Sequence, residues 1–198
     1  GLNSYGITQI FEKIQSRNHT ETLLEKNKKT LDIRSGKEKI ITVYGKQQLY
    51  PLRLNINGDP SSSAFFTALT LLNKKSKIKI KNVGLNSTRV GFYKILKKQK
   101  AKIKFINIKK SNNELKGDII VESCKLKPIK SSAIFYPSTA DEFPILFVIA
   151  GLTKGTSRFK GIDDLVNKES NRIKEMQNVL EQVGIQSSVT KDEFKIYG

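Results

Sequence analysis

The 198 residues hold one cysteine, one histidine, one methionine and no tryptophan, and acidic residues are half as frequent as basic ones. A lone thiol, Cys124, makes no internal disulfide and supplies no zinc site, so it reads as a small buried hydrophobe in a reducing compartment. Long apolar runs are missing too. The longest, Phe143 to Leu152, is half of the roughly twenty residues that a membrane span needs, and it contains Pro144. The opening residues, GLNSYGITQIF, carry no basic stretch followed by an apolar one. A soluble, cytoplasmic chain without a membrane partner is expected. What is present is 37% hydrophobic residues in short segments along the whole length, enough for one ordinary domain or two small ones and too much for a disordered chain.

The formal charge is +18, from 36 Lys and Arg against 18 Asp and Glu. Such an excess suits a polyanion, but only 6 of the basic residues are Arg, the side chain favoured for bidentate phosphate and base recognition. The lysines are spread thinly among Ile and Asn, as at Lys77, Lys79 and Lys81 or Lys94, Lys97 and Lys98. That pattern fills solvent faces, and a nucleic-acid partner is not expected.

Alternation and turn signals divide the chain into short strands and mid-length helices whose order repeats. Ser61 to Leu72 fits a helix capped by its serine cluster after the turn-forming Gly58, Asp59 and Pro60. Lys77 to Lys81 alternates as a half-exposed strand. Ser87 and Thr88 are suited to cap a second helix through Phe92, Ile95 and Leu96. Strands at Lys102 to Ile108 and Asp118 to Glu122 follow, joined by a polar turn around Ser111 to Gly117. About eighty residues later the plan recurs: a helix at Asp141 to Leu152, a strand at Ser157 to Ile162, a helix at Lys168 to Val183, and strands at Gln186 to Thr190 and Glu193 to Tyr197. Ahead of Leu52, the stretch from Ile7 through Ser16-Arg17-Asn18-His19-Thr20 to a helix ending near Lys29 reads as the back half of another copy. About two and a half β-α-β-α-β-β units are expected, as an internal piece of something longer.

Three segments carry polar residues beyond what folding requires. Gly58-Asp59-Pro60-Ser61-Ser62-Ser63 reads locally as a turn and helix cap. Asp141-Glu142-Phe143-Pro144-Ile145 puts two acids at the head of an apolar helix, where they complement its dipole. Asn167-Lys168-Glu169-Ser170-Asn171-Arg172-Ile173 reads as a charged first turn with Lys168 and Arg172 four residues apart on a solvated face.

Taken in order, these segments resemble the 5-enolpyruvylshikimate-3-phosphate synthases, whose motifs read GDPSS, N-x-x-R-x-G, DE-x-P-I and VKES-D-R. This chain has GDPSSSAFF from Gly58, NVGLNSTRVG from Asn82, DEFPIL from Asp141 and NKESNR from Asn167, with SRNHTETLL from Ser16 similar to the family's S-R-D-H-T-E-x-x-L. The resemblance implies an α/β (α+β) fold of repeated βαββαβ units in two domains, an inside-out α/β barrel. Residues 1–56 then belong to the first, shikimate-phosphate side, and 57–198 form two units of the second, about 57–123 and 124–198, with the crossing just before Gly58.

The implied reaction moves the enolpyruvyl group of phosphoenolpyruvate to the 5-hydroxyl of shikimate 3-phosphate and releases phosphate, a step toward aromatic amino acids that uses no cofactor or metal. By resemblance, Asp141 contacts the reacting hydroxyl, Glu169 exchanges a proton at the methylene carbon, and Lys168 lies near both substrates. Arg172 holds phosphoenolpyruvate, and Arg17 contacts the shikimate phosphate. His19, Gly58, Asp59 and the serines are read as structural. Carboxylates among so many cations stay ionised unless desolvated, so their proton transfers call for a closed, dry site.

This chain departs from the pattern in having Val166 and Asn167 before Lys168 and Asn171 where the family has an acid, a loss expected to loosen the site. The family's Lys-Ser segment, Gly-rich loop, Ser-Ser/Ala-Gln segment and C-terminal basic ligands have no counterpart, so the isolated chain is expected to be inactive; the full-length protein is expected to be a monomer. Rival readings are the related transferase acting on UDP-N-acetylglucosamine and a noncatalytic basic module.

Overall fold

The computed structural model describes residues 1–27 and 30–198. In chain order its elements are β1 (Ile7–Glu12), α1 (His19–Leu24), β2 (Leu31–Ser35), β3 (Lys39–Tyr44), α2 (Pro60–Leu72), β4 (Lys77–Gly84), α3 (Gly91–Lys98), β5 (Lys102–Ser111), β6 (Glu114–Glu122), β7 (Lys130–Ser131), α4 (Phe143–Gly151), β8 (Thr156–Lys160), α5 (Arg172–Gln182), β9 (Gln186–Val189) and β10 (Glu193–Tyr197). Three sheets result, ordered β1-β3-β2, β4-β6-β5 and β7-β8-β10-β9. One plan is repeated: the last strand of each unit lies in the middle, antiparallel to both neighbours. The short parallel strand β7 beside β8 has its equivalent in the single parallel bridge from Gly58 to Val83.

Local chemistry explains the elements and corrects several expectations. The cap of α2 is Asp59, whose carboxylate accepts from the Ser62 backbone N–H at 2.8 Å, with Pro60 in the first turn. The serines are thus free for other bonds. Ser87 and Thr88 do not cap α3: the Asn86 side chain accepts from the Thr88 backbone N–H at 2.9 Å, and the helix starts at Gly91 after Val90. The expected polar turn at Ser111 to Gly117 is mostly strand, because β5 and β6 continue to a tight turn at Asn112 and Asn113, both at positive φ. Strand β8 sits one residue earlier at its start and two at its end than expected. Helix α1 ends at Leu24, and the end expected near Lys29 falls outside the described residues. Cys124 is half-buried, not buried.

Asp118 organises the middle sheet. It accepts from the Asn82 backbone N–H at 3.0 Å and from Asn107 Nδ2 at 2.8 Å, and these two asparagines, at φ 56° and 52°, sit where β4 and β5 lose register against β6. Asparagine tolerates that conformation, so each strand bulges there. The bond from the Asn82 backbone, then those from Asn107 and Lys79, hold the Asp118 carboxyl down at about 2. Beyond the bulge, β4 turns toward Gly58, where backbone bonds of 2.8 Å link Gly58 to Asn82 and to Gly84.

The two later sheets share one core. Helix α2 packs on α4, and Phe147 has ring centroids 4.9 Å from Phe159 and 4.8 Å from Phe194. Tyr93 meets Phe92 and Phe105 edge to face. Burying one such ring contributes about 2–3 kcal/mol. Among the described residues no helix is long and apolar enough to cross a membrane.

Candidate active site

Three irregular segments converge, and each precedes a helix. Arg17 lies between β1 and α1. The backbone N–H of its neighbour Ser16 donates to Glu12 at 2.8 Å, and Asn18 accepts from Asn86 Nδ2 at 2.8 Å. His19 beside it pairs with Glu114. These bonds fasten the head of α1 to the middle sheet and aim Arg17 across the crossover. Asp141 and Glu142 follow a 3-10 turn, Ala133–Ser138, and stand before α4. Lys168 and Glu169 follow the 3-10 turn Asp163–Asn167 and stand before α5.

The helices expected from Asp141 and from Lys168 are therefore shorter: α4 begins at Phe143 and α5 at Arg172. Asp141 leaves the helix axis, and Lys168 and Arg172 share no helical face. Asn171 provides the reason at α5, since its side chain accepts from the Lys174 backbone N–H at 3.0 Å as the N-cap. The residue that stands where the family has an acid thus serves as the N-cap of α5.

Asp141 is held between two guanidiniums. Arg17 Nη2 pairs with its Oδ2, and Arg172 Nη1 stands 3.7 Å from its Oδ1. The hydrogen bond from Arg17, and then the charges of Arg17, Arg89 and Arg172, keep its carboxyl below the usual 3.8. Arg172 also reaches Glu169 at 2.7 Å, and the Glu169 carboxyl, 80% exposed, is lowered by its own backbone N–H and then by Arg172. Lys168 turns to Asp164 at 3.7 Å. Four of the five expected residues thus form one connected set, Arg17, Asp141, Arg172 and Glu169, while Lys168 rides on the same segment with a different partner.

The arrangement includes groups the sequence reading left out. Arg89 Nη2 donates to Asp59 at 2.9 Å and to Ser61 at 2.7 Å, and Ser61 donates on to Glu142. Glu142 is 4% exposed, and burial pushes its carboxyl above the usual 4.5. Tyr136 donates to Asp164 at 2.6 Å and stacks on Phe143. Arg89 stands inside the N-x-x-R-x-G match, and Glu142 is an acid facing a run of apolar residues; both signals were in the sequence. Two hollows adjoin this arrangement, one of about 160 Å3 along Asp141, Glu142, Ser61 and Met176 and one of about 340 Å3 along His19, Asp59, Arg89 and Glu114, whereas one of about 570 Å3 lies on Glu12, Glu21 and Lys39. Among the described residues no three His, Cys, Asp or Glu gather as a metal site.

A family model described as EPSP synthase (3-phosphoshikimate 1-carboxyvinyltransferase) matches residues 2–198. The chain belongs to the EPSP synthase family. Curated proteins named 3-phosphoshikimate 1-carboxyvinyltransferase are similar over the whole chain, at 35% identity from Zymomonas mobilis and 36% from Aquifex aeolicus. The chain spans 44% and 46% of those two proteins, a little under half of each. Among solved structures, an EPSP synthase from Acinetobacter baumannii superposes with a TM-score of 0.86 at 31% identity, covering 98% of this chain and 43% of that one. The enolpyruvyl transferase NikO from Streptomyces tendae shares the fold at TM-score 0.64 and 12% identity, over 98% of this chain and 43% of its own. The EPSP synthase fold accounts for the repeated sheets.

Proposed function

We propose that this chain forms part of an enzyme that transfers the enolpyruvyl group of phosphoenolpyruvate to the 5-hydroxyl of shikimate 3-phosphate and releases phosphate. In that reading residues 1–56 belong to a shikimate-phosphate domain and 57–198 to two units of a second domain, about 57–123 and 124–198. The full-length protein works as a cytoplasmic monomer. The observation that carries the reading is the clasp of Asp141 by Arg17 from one side of the crossover and Arg172 from the other, with Glu169 on Arg172.

The chemistry follows from that clasp. Two phosphates and a carboxylate attract guanidinium groups by bidentate charged bonds. When substrates enter, Arg17 turns to the shikimate phosphate and Arg172 to phosphoenolpyruvate, with Lys168 beside both. Asp141 then faces the 5-hydroxyl and accepts its proton as the oxygen bonds to the enol carbon. Glu169 delivers a proton to the methylene carbon. In the second half a proton of the new methyl group returns to Glu169, the double bond re-forms, the carbon–oxygen bond to phosphate breaks, and the proton held by Asp141 leaves with the phosphate. The charges balance over the two steps, and the step needs Glu169 protonated within a site closed to water.

Calorimetric titration with shikimate 3-phosphate, shikimate and UDP-N-acetylglucosamine tests the reading. The phosphorylated shikimate is expected to bind and Arg17→Ala to abolish its advantage over shikimate. Equal binding of both, or preference for the nucleotide sugar, sinks the assignment.

A further inference from the structure

We propose that Glu142 is a positioning residue, which fixes Asp141 by tying the entrance of α4 to the head of α2 through Ser61 and Arg89. The inference rests on Asp141 belonging to the transfer site and adds how that carboxylate is kept in place.

Guanidinium only donates, so Arg89 Nη2, at 2.7 Å from Ser61 Oγ, uses a serine lone pair. The single hydroxyl proton of Ser61 is then available for Glu142 Oε1, as found. The same Arg89 nitrogen holds Asp59 at 2.9 Å, and Asp59 caps α2 through Ser62. A relay therefore runs from the cap of α2 through Arg89 and Ser61 to Glu142, next in sequence to Asp141. It holds the side chain next to Asp141 and makes no bond to the Asp141 carboxylate, so it restrains the backbone of the 141–142 turn while leaving that carboxylate free to change partners. Glu142 has no side-chain cap bond to α4, and among the described residues its side chain bonds to Ser61. A buried acid that does not cap its own helix is costly unless its bond has such a use.

The charged and titratable groups acting on Glu142 are Asp59 and Arg89 through the relay, Tyr93 from α3, and Asp141 and Arg17 on the open side. Burial raises the Glu142 carboxyl, and Arg17 lowers that of Asp141, so Asp141 titrates while Glu142 still holds its proton. Glutamine is then the faithful replacement: it keeps the oxygen that accepts from Ser61 and adds no charge.

The test is side-chain carboxyl carbon NMR of Asp141 across acidic pH, with shikimate 3-phosphate titrated into the same chains. Ser61→Ala and Glu142→Ala are expected to move the Asp141 midpoint up toward 3.8 and to weaken the ligand about tenfold, the size of one buried hydrogen bond. Glu142→Gln is expected to do neither. An unchanged Asp141 midpoint in folded Ser61→Ala overturns the proposal, and so does a Glu142→Gln shift as large as that of Glu142→Ala, which would make charge the agent. If Glu142→Ala fails to fold, Ser61→Ala, which loses one hydroxyl, decides alone. If no chain binds shikimate 3-phosphate, the transfer reading fails while the Asp141 midpoint still decides the positioning.

Discussion

The sheet β1-β3-β2 and the two sheets that follow it are built to one plan, yet they bury very different amounts of apolar surface. In the first, Ile41 and Val43 are the buried aliphatics, while Ile7, Ile10 and Phe11 of β1 are exposed and the accompanying helix α1 has six residues. In the second region α2, α3 and α4 cover their sheets, and Phe92, Phe143, Phe147, Phe159 and Phe194 are all fully buried. Topology repeats without the stability repeating, because a strand order sets hydrogen bonds whereas helices supply the apolar cover. Arg17 stands on the lightly packed side with its side chain 42% exposed, and that suits a group that must exchange a carboxylate for a phosphate.

The comparison breaks first at Phe147. Phe147→Ala empties a site shared with Phe143, Phe159 and Phe194 and is expected to cost about 3–5 kcal/mol. A urea titration followed by circular dichroism measures it, and the loss should melt α2 through β10 together. Ile41→Ala, in the thinner region, is expected to cost about 2 kcal/mol, the low end for such a truncation, since its neighbours have room to collapse. Equal costs for the two changes would mean that the first sheet is as well packed as the second.

Tyr93→Phe sharpens the picture inside the stronger region. The Tyr93 hydroxyl bonds Ser63 and lies near the Pro60 carbonyl at 3.3 Å, and burial pushes the phenol up to about 12. Removing it leaves Ser63 with its bond to the same carbonyl at 2.8 Å. The expected cost is about 1 kcal/mol, with the ring contacts to Phe92 and Phe105 intact. A loss several times larger would place the strength of this core in its polar bonds and not in its rings.

How far the sequence foretold this division depends on which signal each residue obeys. Alternation in Lys77 to Lys81 and the helical spacing of Phe92, Ile95 and Leu96 lead directly to β4 and α3, since one face of each must be buried. Helix entrances were less legible. Serines and threonines look like caps wherever they stand before an apolar run, but the caps used are Asp59 and Asn171, and Ser61 serves Arg89 and Glu142 instead. The two caps are local bonds, whereas the partners of Ser61 are brought in from elsewhere in the fold. The same holds at the site: family motifs lead to Asp141, Arg172 and Glu169, whereas Tyr136 is visible only once Asp164 is folded against it.

Asn171→Ala tests the cap that accompanies this departure from the family pattern. It removes the bond to the Lys174 backbone N–H and is expected to cost about 1 kcal/mol by thermal melting, with Asn171→Asp near neutral because an acid caps equally well and complements the dipole. A destabilised Asn171→Asp would show that Arg172, Glu169 and Asp141 leave no room for another negative charge.

The smallest effect is expected at the contact between the two regions. Asp141 ionises below its ordinary 3.8 in the folded chain, so pairing with Arg17 contributes fully above that value and is lost as pH falls through the depressed one. Both side chains are about two-fifths exposed, and solvent screening limits the contribution to a few tenths of a kcal/mol. Glu142 works in the opposite sense: its carboxyl is raised above 4.5, so what burial of the neutral acid contributes is full below that value and fades as pH rises through the raised one. Between the two, acidification loosens Arg17 from Asp141 while the relay through Ser61 keeps its proton and stays. Amide exchange in α1 and β1 should therefore quicken below pH 3.8 with exchange in α2 and α4 unchanged, and added salt should produce the same asymmetry at neutral pH. Parallel quickening in both regions would mean that the Arg17 contact is part of one cooperative fold and not a clasp between a strong body and a weak one.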